Sequence, residues 1–249
     1  MAWVPLLWLT VALALLLVFE RWIHRHLQGV MLLLTGDPDI AVVLYALPLL
    51  PGIFVHELSH ALAAAMLNVR VGRITIHPKR SGQHVQLGFV PIERTDKVRA
   101  SLIGLAPLLV GSAIILLIGY LVYGLALDID PQSEGWREIA KGLTTIFAAP
   151  DAWLWGYAVF AVSNTMLPSR SDRQAWTPMI LFMLLAGILV WITGLGPAVL
   201  TRSANVINTA LQWLATMCSL TITIDLPFVL LIALTEKLLE RIRGVHVEY

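Results

Sequence analysis

Charge is what this sequence most lacks. Asp, Glu, Lys and Arg make up 13% of its 249 residues, about half the quarter usual in a soluble domain. Beside 58% hydrophobic residues and a mean hydropathy of +0.79, that shortage excludes an ordinary soluble globular domain and an intrinsically disordered chain. Neither sign dominates: 17 Lys and Arg face 16 Asp and Glu, so there is no basic field to bind nucleic acid. Cysteine is almost absent. Cys218 alone excludes an intramolecular disulfide and a cysteine-ligated zinc knuckle. No internal repeat, low-complexity tract or second soluble domain is present. The apolar excess has to face lipid, and residues 1–249 read as a single all-α, polytopic membrane domain.

A membrane helix needs about 20 mostly apolar residues, and six stretches come near that length. They are Ala2–Phe19, about Ile40–Leu67, about Ala100–Leu127, Ala152–Leu167, about Trp176–Ile192 and roughly Asn205–Leu234. No Lys or Arg precedes the first run and no small-residue cleavage site follows it, so it reads as a retained helix ending at Glu20-Arg21 rather than a signal peptide. Pro48, Pro51 and Gly52 break up the second. Asp225 and Pro227 interrupt the last (residues 205–234), which reads as one kinked helix or two short ones. Trp153, Trp155, Tyr157 and Trp191 suit interfacial belts.

Orientation follows from the basic residues. With both termini cytoplasmic, twelve Lys and Arg fall in internal segments and five (Arg21, Arg25, Arg137, Lys141, Arg202) outside. That bias favours an even number of spans in a cell membrane, with the Asp128–Asp151 loop external. Between the second and third spans, residues 69–90 change to an alternating pattern. Ile74 and Ile76, then Val85, Leu87 and Phe89, flank a turn at Ser81-Gly82. This predicts a small β-hairpin at the cytoplasmic interface.

The chemistry is concentrated in the second span, in His56-Glu57-Leu58-Ser59-His60. Helix residues four apart share a face, so His56 and His60 can offer two imidazole nitrogens to one Zn2+. Glu57 beside them can act as general base on a water. Bound zinc lowers the pKa of such a water from 15.7 to about 7. Ionisable groups at mid-membrane cost about 2.5–3.5 kcal/mol each even on the lenient insertion scale, and a metal is a partner that offsets that cost. Zinc needs a third protein ligand. Asp172 stands at the inner end of the fourth span, a depth compatible with His56; Asp225 and Asp151 are the other carboxylates near a span. An ion pair of Asp172 with Arg170 or Arg173 is the plainer reading of that residue.

The intramembrane HExxH, the basic hairpin after it and an Asn-x7-Asp segment in a later span resemble the site-2 protease family of intramembrane zinc metalloproteases. In that family a segment Asn-x-x-Pro-x-Pro-x-x-Asp-Gly supplies the third zinc ligand from its Asp. Asn164 and Asp172 fall on its first and ninth positions. Pro168 lies one residue from the first proline, Ser169 replaces the second, and Arg173 stands in place of the Gly. Ala106-Pro107, within Gly104–Gly111, is similar to a small-residue stretch in the span after the family's hairpin. The resemblance covers about Ile40–Asp172 and implies a catalytic core over residues 40–175. It implies zinc held by His56, His60 and Asp172, Glu57 as the catalytic base, and transmembrane proteins or peptides as substrates.

Cleaving a transmembrane helix requires its hydrogen-bond ladder to open. A hairpin edge can pair with the extended segment by strand addition. Asn164 can donate to the substrate backbone or to the developing oxyanion, or bind a neighbouring helix. The expected function is therefore zinc-dependent intramembrane endoproteolysis. Two readings compete with it. One is another membrane zincin whose third ligand is Glu134 or Glu138. The other is a metal-binding transporter or catalytically silent chaperone of membrane helices, although the inverted repeats of transporters are missing. His24 and His26 are expected to be solvated, His77 and His84 to lie on the hairpin surface, and Cys218 to be packing.

Overall fold

The computed structural model describes residues 3–75, 79–81, 84–86, 88–124, 144–169, 172–173 and 176–247. Among the described residues the main helices are α1 (Val4–Thr35), α2 (Pro38–Ala46), α3 (Leu50–Met66), α4 (Lys97–Leu121), α5 (Ala152–Met166), α6 (Trp176–Ile192) and α7 (Gly196–Arg243). A 3-10 turn over Leu47–Leu49 joins α2 to α3.

Local chemistry sets the corners. Gly36 takes the left-handed conformation (φ 70°), and its N–H bonds the Leu32 carbonyl at 2.8 Å, closing α1 as a glycine just past a helix end does. Asp37 then caps α2, accepting from the Asp39 and Ile40 N–H groups at 2.8 and 3.2 Å, with Pro38 at the first helical position. Asp96 opens α4 the same way, accepting from Val98 and Arg99 at 3.0 Å.

Four helical stretches are long and apolar enough to cross a membrane: Val4–Thr35, Pro38–Met66, Lys97–Leu121 and Gly196–Arg243. By length and composition this is a multi-pass membrane protein. The expected count of six is not reached among the described residues. The helices α5 and α6 have 15 and 17 residues, about 23 and 26 Å at 1.5 Å per residue, against a hydrocarbon core of about 30 Å. No residue of α6 is buried.

The first helix does not stop at Glu20-Arg21. It continues to Thr35 because its polar residues find partners. Glu20 lies 3.8 Å from His24, His24 Nδ1 shares a hydrogen bond with the Tyr45 hydroxyl, and His26 Nδ1 meets Glu236 at 2.6 Å. His24 and His26 are thus interhelical contacts rather than solvated groups. The 205–234 stretch lies inside the single helix α7, which carries Pro227 in its interior.

Helices α1 and α7 run parallel. Trp8 Nε1 donates to Ser219 Oγ at 3.1 Å, His26 meets Glu236, and Arg243 Nη2 donates to the Leu34 carbonyl at 2.7 Å, with separations of 211, 210 and 209 residues. Contact therefore climbs both helices together. Parallel helices that both cross a bilayer cross it in the same direction, so this packing carries the two termini to opposite ends of the pair. On that register, both termini share the cytoplasmic face only if one of the two helices does not cross completely.

Between α3 and α4, β1 (Lys79–Ser81) pairs antiparallel with β2 (His84–Gln86), Arg80 opposite Val85. Isolated antiparallel bridges join Thr75 to Phe89 and Val71 to Ile92. The named strands are three residues each, shorter than the hairpin expected over 69–90. His77, Gly82, Glu134, Glu138, Arg170 and most of the 128–151 loop lie outside the described residues.

Candidate metal centre

Helix α3 carries His56, Glu57 and His60, and it is seated by glycine. A Cβ at Gly52 would fall 1.9 Å from the Ala161 carbonyl oxygen and 2.3 Å from Thr165 Oγ1, so only glycine allows α3 this close to α5. One turn further along α3, His56 Nδ1 is buried beside the Thr165 backbone without a well-formed hydrogen bond. His60 Nδ1–H donates to the Ile103 carbonyl on α4 at 2.9 Å. A carbonyl only accepts, so this bond places the ring proton on Nδ1 and leaves the Nε2 lone pair free for a metal.

Asp172 arrives from a different part of the chain. It follows α5, in a turn where the Ser169 backbone N–H donates to its Oδ2 at 2.7 Å and its own N–H reaches Ser169 Oγ at 3.3 Å. Arg173 Nε donates to the Ser169 carbonyl at 3.3 Å and so braces the same turn. A Cβ at Gly104 would fall 2.3 Å from the Asp172 carbonyl oxygen, so this glycine lets the turn lie against α4.

The three side chains converge. His56 Nε2 lies 3.2 Å from His60 Nε2, His60 Nε2 lies 3.3 Å from Asp172 Oδ1, and His56 Nε2 lies 3.8 Å from Asp172 Oδ2. Tetrahedral zinc with bonds of about 2.0–2.1 Å separates its ligand atoms by about 3.3 Å. The donor set and its spacing fit that ion. Among the described residues this is the group of three or more His, Cys, Asp or Glu side chains that could hold a metal.

Glu57 is buried within electrostatic reach of His60 and Asp172. Its carboxylate lies against the stretch leading into the Phe89 bridge: a Cβ at Gly88 would fall 2.5 Å from Glu57 Oε1. Asn164 is turned elsewhere. Its Nδ2 donates to the Phe160 carbonyl at 2.9 Å, to Ser163 Oγ at 3.3 Å and to Asp225 Oδ1 at 3.4 Å, which makes it an interhelical contact here. Asp225 accordingly sits with Asn164 and outside the ligand cluster, and Asp151 stands at the start of α5. Of the supporting residues, Ile103 carried no signal of its own in the sequence; Gly52 stood there only as a break in the second span, Ser169 as a departure from the family's segment, and Gly104 in the small-residue stretch of α4.

Residues 40–127 match the Peptidase M50B-like family. The match supports the resemblance to the site-2 protease family and suggests an intramembrane protease. It covers His56, Glu57, His60, Gly88 and Gly104 but stops short of Asn164 and Asp172, so the third ligand stands on the geometry above. No curated protein and no solved structure matches the chain.

Proposed function

We propose that this protein is a zinc-dependent intramembrane endopeptidase acting on the transmembrane segments of other membrane proteins. The observation that carries the reading is the convergence of His56, His60 and Asp172 beside a buried Glu57. Zinc, when bound, would supply Lewis-acid polarisation and a water acidified into the neutral range.

The chain's own residues supply the rest. His56, His60 and Asp172 would hold the ion, and the Ile103 carbonyl fixes the His60 ring in the tautomer that binds it. Glu57 would accept the attacking water's proton on its carboxylate and return it to the departing nitrogen. The stretch through Gly88 passes directly over Glu57. An extended substrate segment paired along it would bring its peptide bonds to the base. A side chain at position 88 would push that base aside. Asn164 could donate to the substrate backbone only by giving up one of its present acceptors, Phe160, Ser163 or Asp225.

The test is zinc content and cleavage on detergent-purified protein. Wild type is expected to hold close to one zinc per chain and to cut a reconstituted transmembrane substrate. Glu57→Gln should keep its zinc and lose cleavage, and Asp172→Ala should lose most of the zinc. Cleavage surviving in Glu57→Gln would remove the assigned base. Zinc bound with no Glu57-dependent cleavage would turn the reading toward a transporter or silent chaperone.

A further inference from the structure

Outside the ligand cluster, the most demanding polar group in the membrane region is Asp225. It is fully buried in α7, two residues before Pro227. Its Oδ1 accepts from Asn164 Nδ2 at 3.4 Å, while its Oδ2 and Asn164 Oδ1 are both buried without partners. An isolated carboxyl in this setting is costly, and the pairing with an amide on another helix is what the structure offers to offset it.

Asn164 is fixed on α5 by local acceptors, the Phe160 carbonyl and Ser163 Oγ. A contact at Asn164 therefore sets the rotation of the whole helix. Its other contacts lead to the metal ligands. The next residue, Thr165, puts its backbone beside His56 and its Oγ1 at the Gly52 seat. Met166 packs at Gly111, and three residues later Ser169 holds Asp172.

We propose that Asp225 is a positioning residue for the metal centre. Through Asn164 it sets α5 so that Thr165 meets His56 and the following turn delivers Asp172. The inference rests on the metal reading above and adds the last helix to the machinery of the site.

The experiment measures zinc affinity of the full chain in detergent by competition with a chelator, comparing wild type, Asp225→Asn and Asp225→Leu. An asparagine at 225 still accepts from Asn164 Nδ2, and it also offers a donor to the unpartnered Asn164 Oδ1. Asp225→Asn should therefore bind within threefold of wild type. Asp225→Leu should bind at least tenfold more weakly, in line with the 10–100-fold losses seen when groups supporting metal ligands are removed. Equal affinity in wild type and Asp225→Leu overturns the proposal. Equal weakening in both variants does so too, because it makes residue 225 a packing position. Should Asp225→Leu fail to fold, Asn164→Ala decides, because it removes the other partner of the same contact. Asn164→Ala should bind at least tenfold more weakly than wild type. Affinity equal to wild type in Asn164→Ala overturns the proposal. Wild type that binds no zinc would instead overturn the metal reading itself.

Discussion

The backbone N–H of Ser169 donates to Asp172 Oδ2 at 2.7 Å, and that bond exists because residue 169 is not proline. A proline there has no N–H to give. The departure from the family's segment thus supplies a partner to the carboxylate that completes the ligand cluster.

Ser169→Pro is expected to weaken zinc binding by roughly tenfold or more, the low end of the range for losing a group that supports a ligand. Ser169→Ala, which keeps the N–H and loses only the 3.3 Å contact at Oγ, should bind much closer to wild type. Chelator competition on the two variants separates them. Equal affinity would show that the backbone bond does not hold the ligand.

Gly104→Ala sets helix propensity against the site. Alanine favours a helix interior by about 1 kcal/mol over glycine, so α4 by itself should gain. The added Cβ would meet the Asp172 carbonyl oxygen at 2.3 Å, and the turn has to move. The expected result is an unchanged or raised Tm of the metal-free protein together with reduced zinc content. Full zinc occupancy in Gly104→Ala would mean that the turn relaxes without cost.

Gly52→Ala should behave differently. Its Cβ would strike backbone, the Ala161 carbonyl oxygen at 1.9 Å, and α3 and α5 would have to part. Overpacking of this kind costs about 1–3 kcal/mol or more. Thermal unfolding should therefore fall clearly in the metal-free protein, and a Tm equal to wild type would contradict the packing described.

The parallel register of α1 and α7 places Trp3 and Val245 at opposite ends of that pair. In a Cys218→Ala background, Trp3→Cys and Val245→Cys should react with a membrane-impermeant maleimide from opposite sides of sealed vesicles. Labelling of both from one side would require one of the two helices to stop short of crossing.

What could be read from the sequence was mostly what neighbouring residues decide among themselves. The His56–His60 spacing implies a shared face without any knowledge of the fold. Asp172 needed a topological argument as well, because it meets the histidines only after more than a hundred intervening residues have turned back. The charges at Glu20-Arg21 looked like a membrane boundary, since the residues that accompany them across the bundle, Tyr45 and Glu236 among them, are distant in the chain. The direction of α7 relative to α1 leaves no local trace, so the basic residues alone could not show it. The glycines at 52, 88 and 104 matter through what lies opposite them, and a single chain read along its length does not show that.

Of the helices described, α1 is made first and α7 last, yet each holds polar groups that the other satisfies. At synthesis rates of roughly 5–20 residues per second, His26 waits on the order of 10–40 seconds for Glu236 to exist. All three residues of the candidate metal cluster are already in the chain by Asp172, before any of α7 has been made. The nascent protein thus passes through a stage in which His26 has no Glu236 to meet and Asn164 no Asp225. On the reading proposed above, the cluster would be fully positioned only once α7 has joined the helices that carry it.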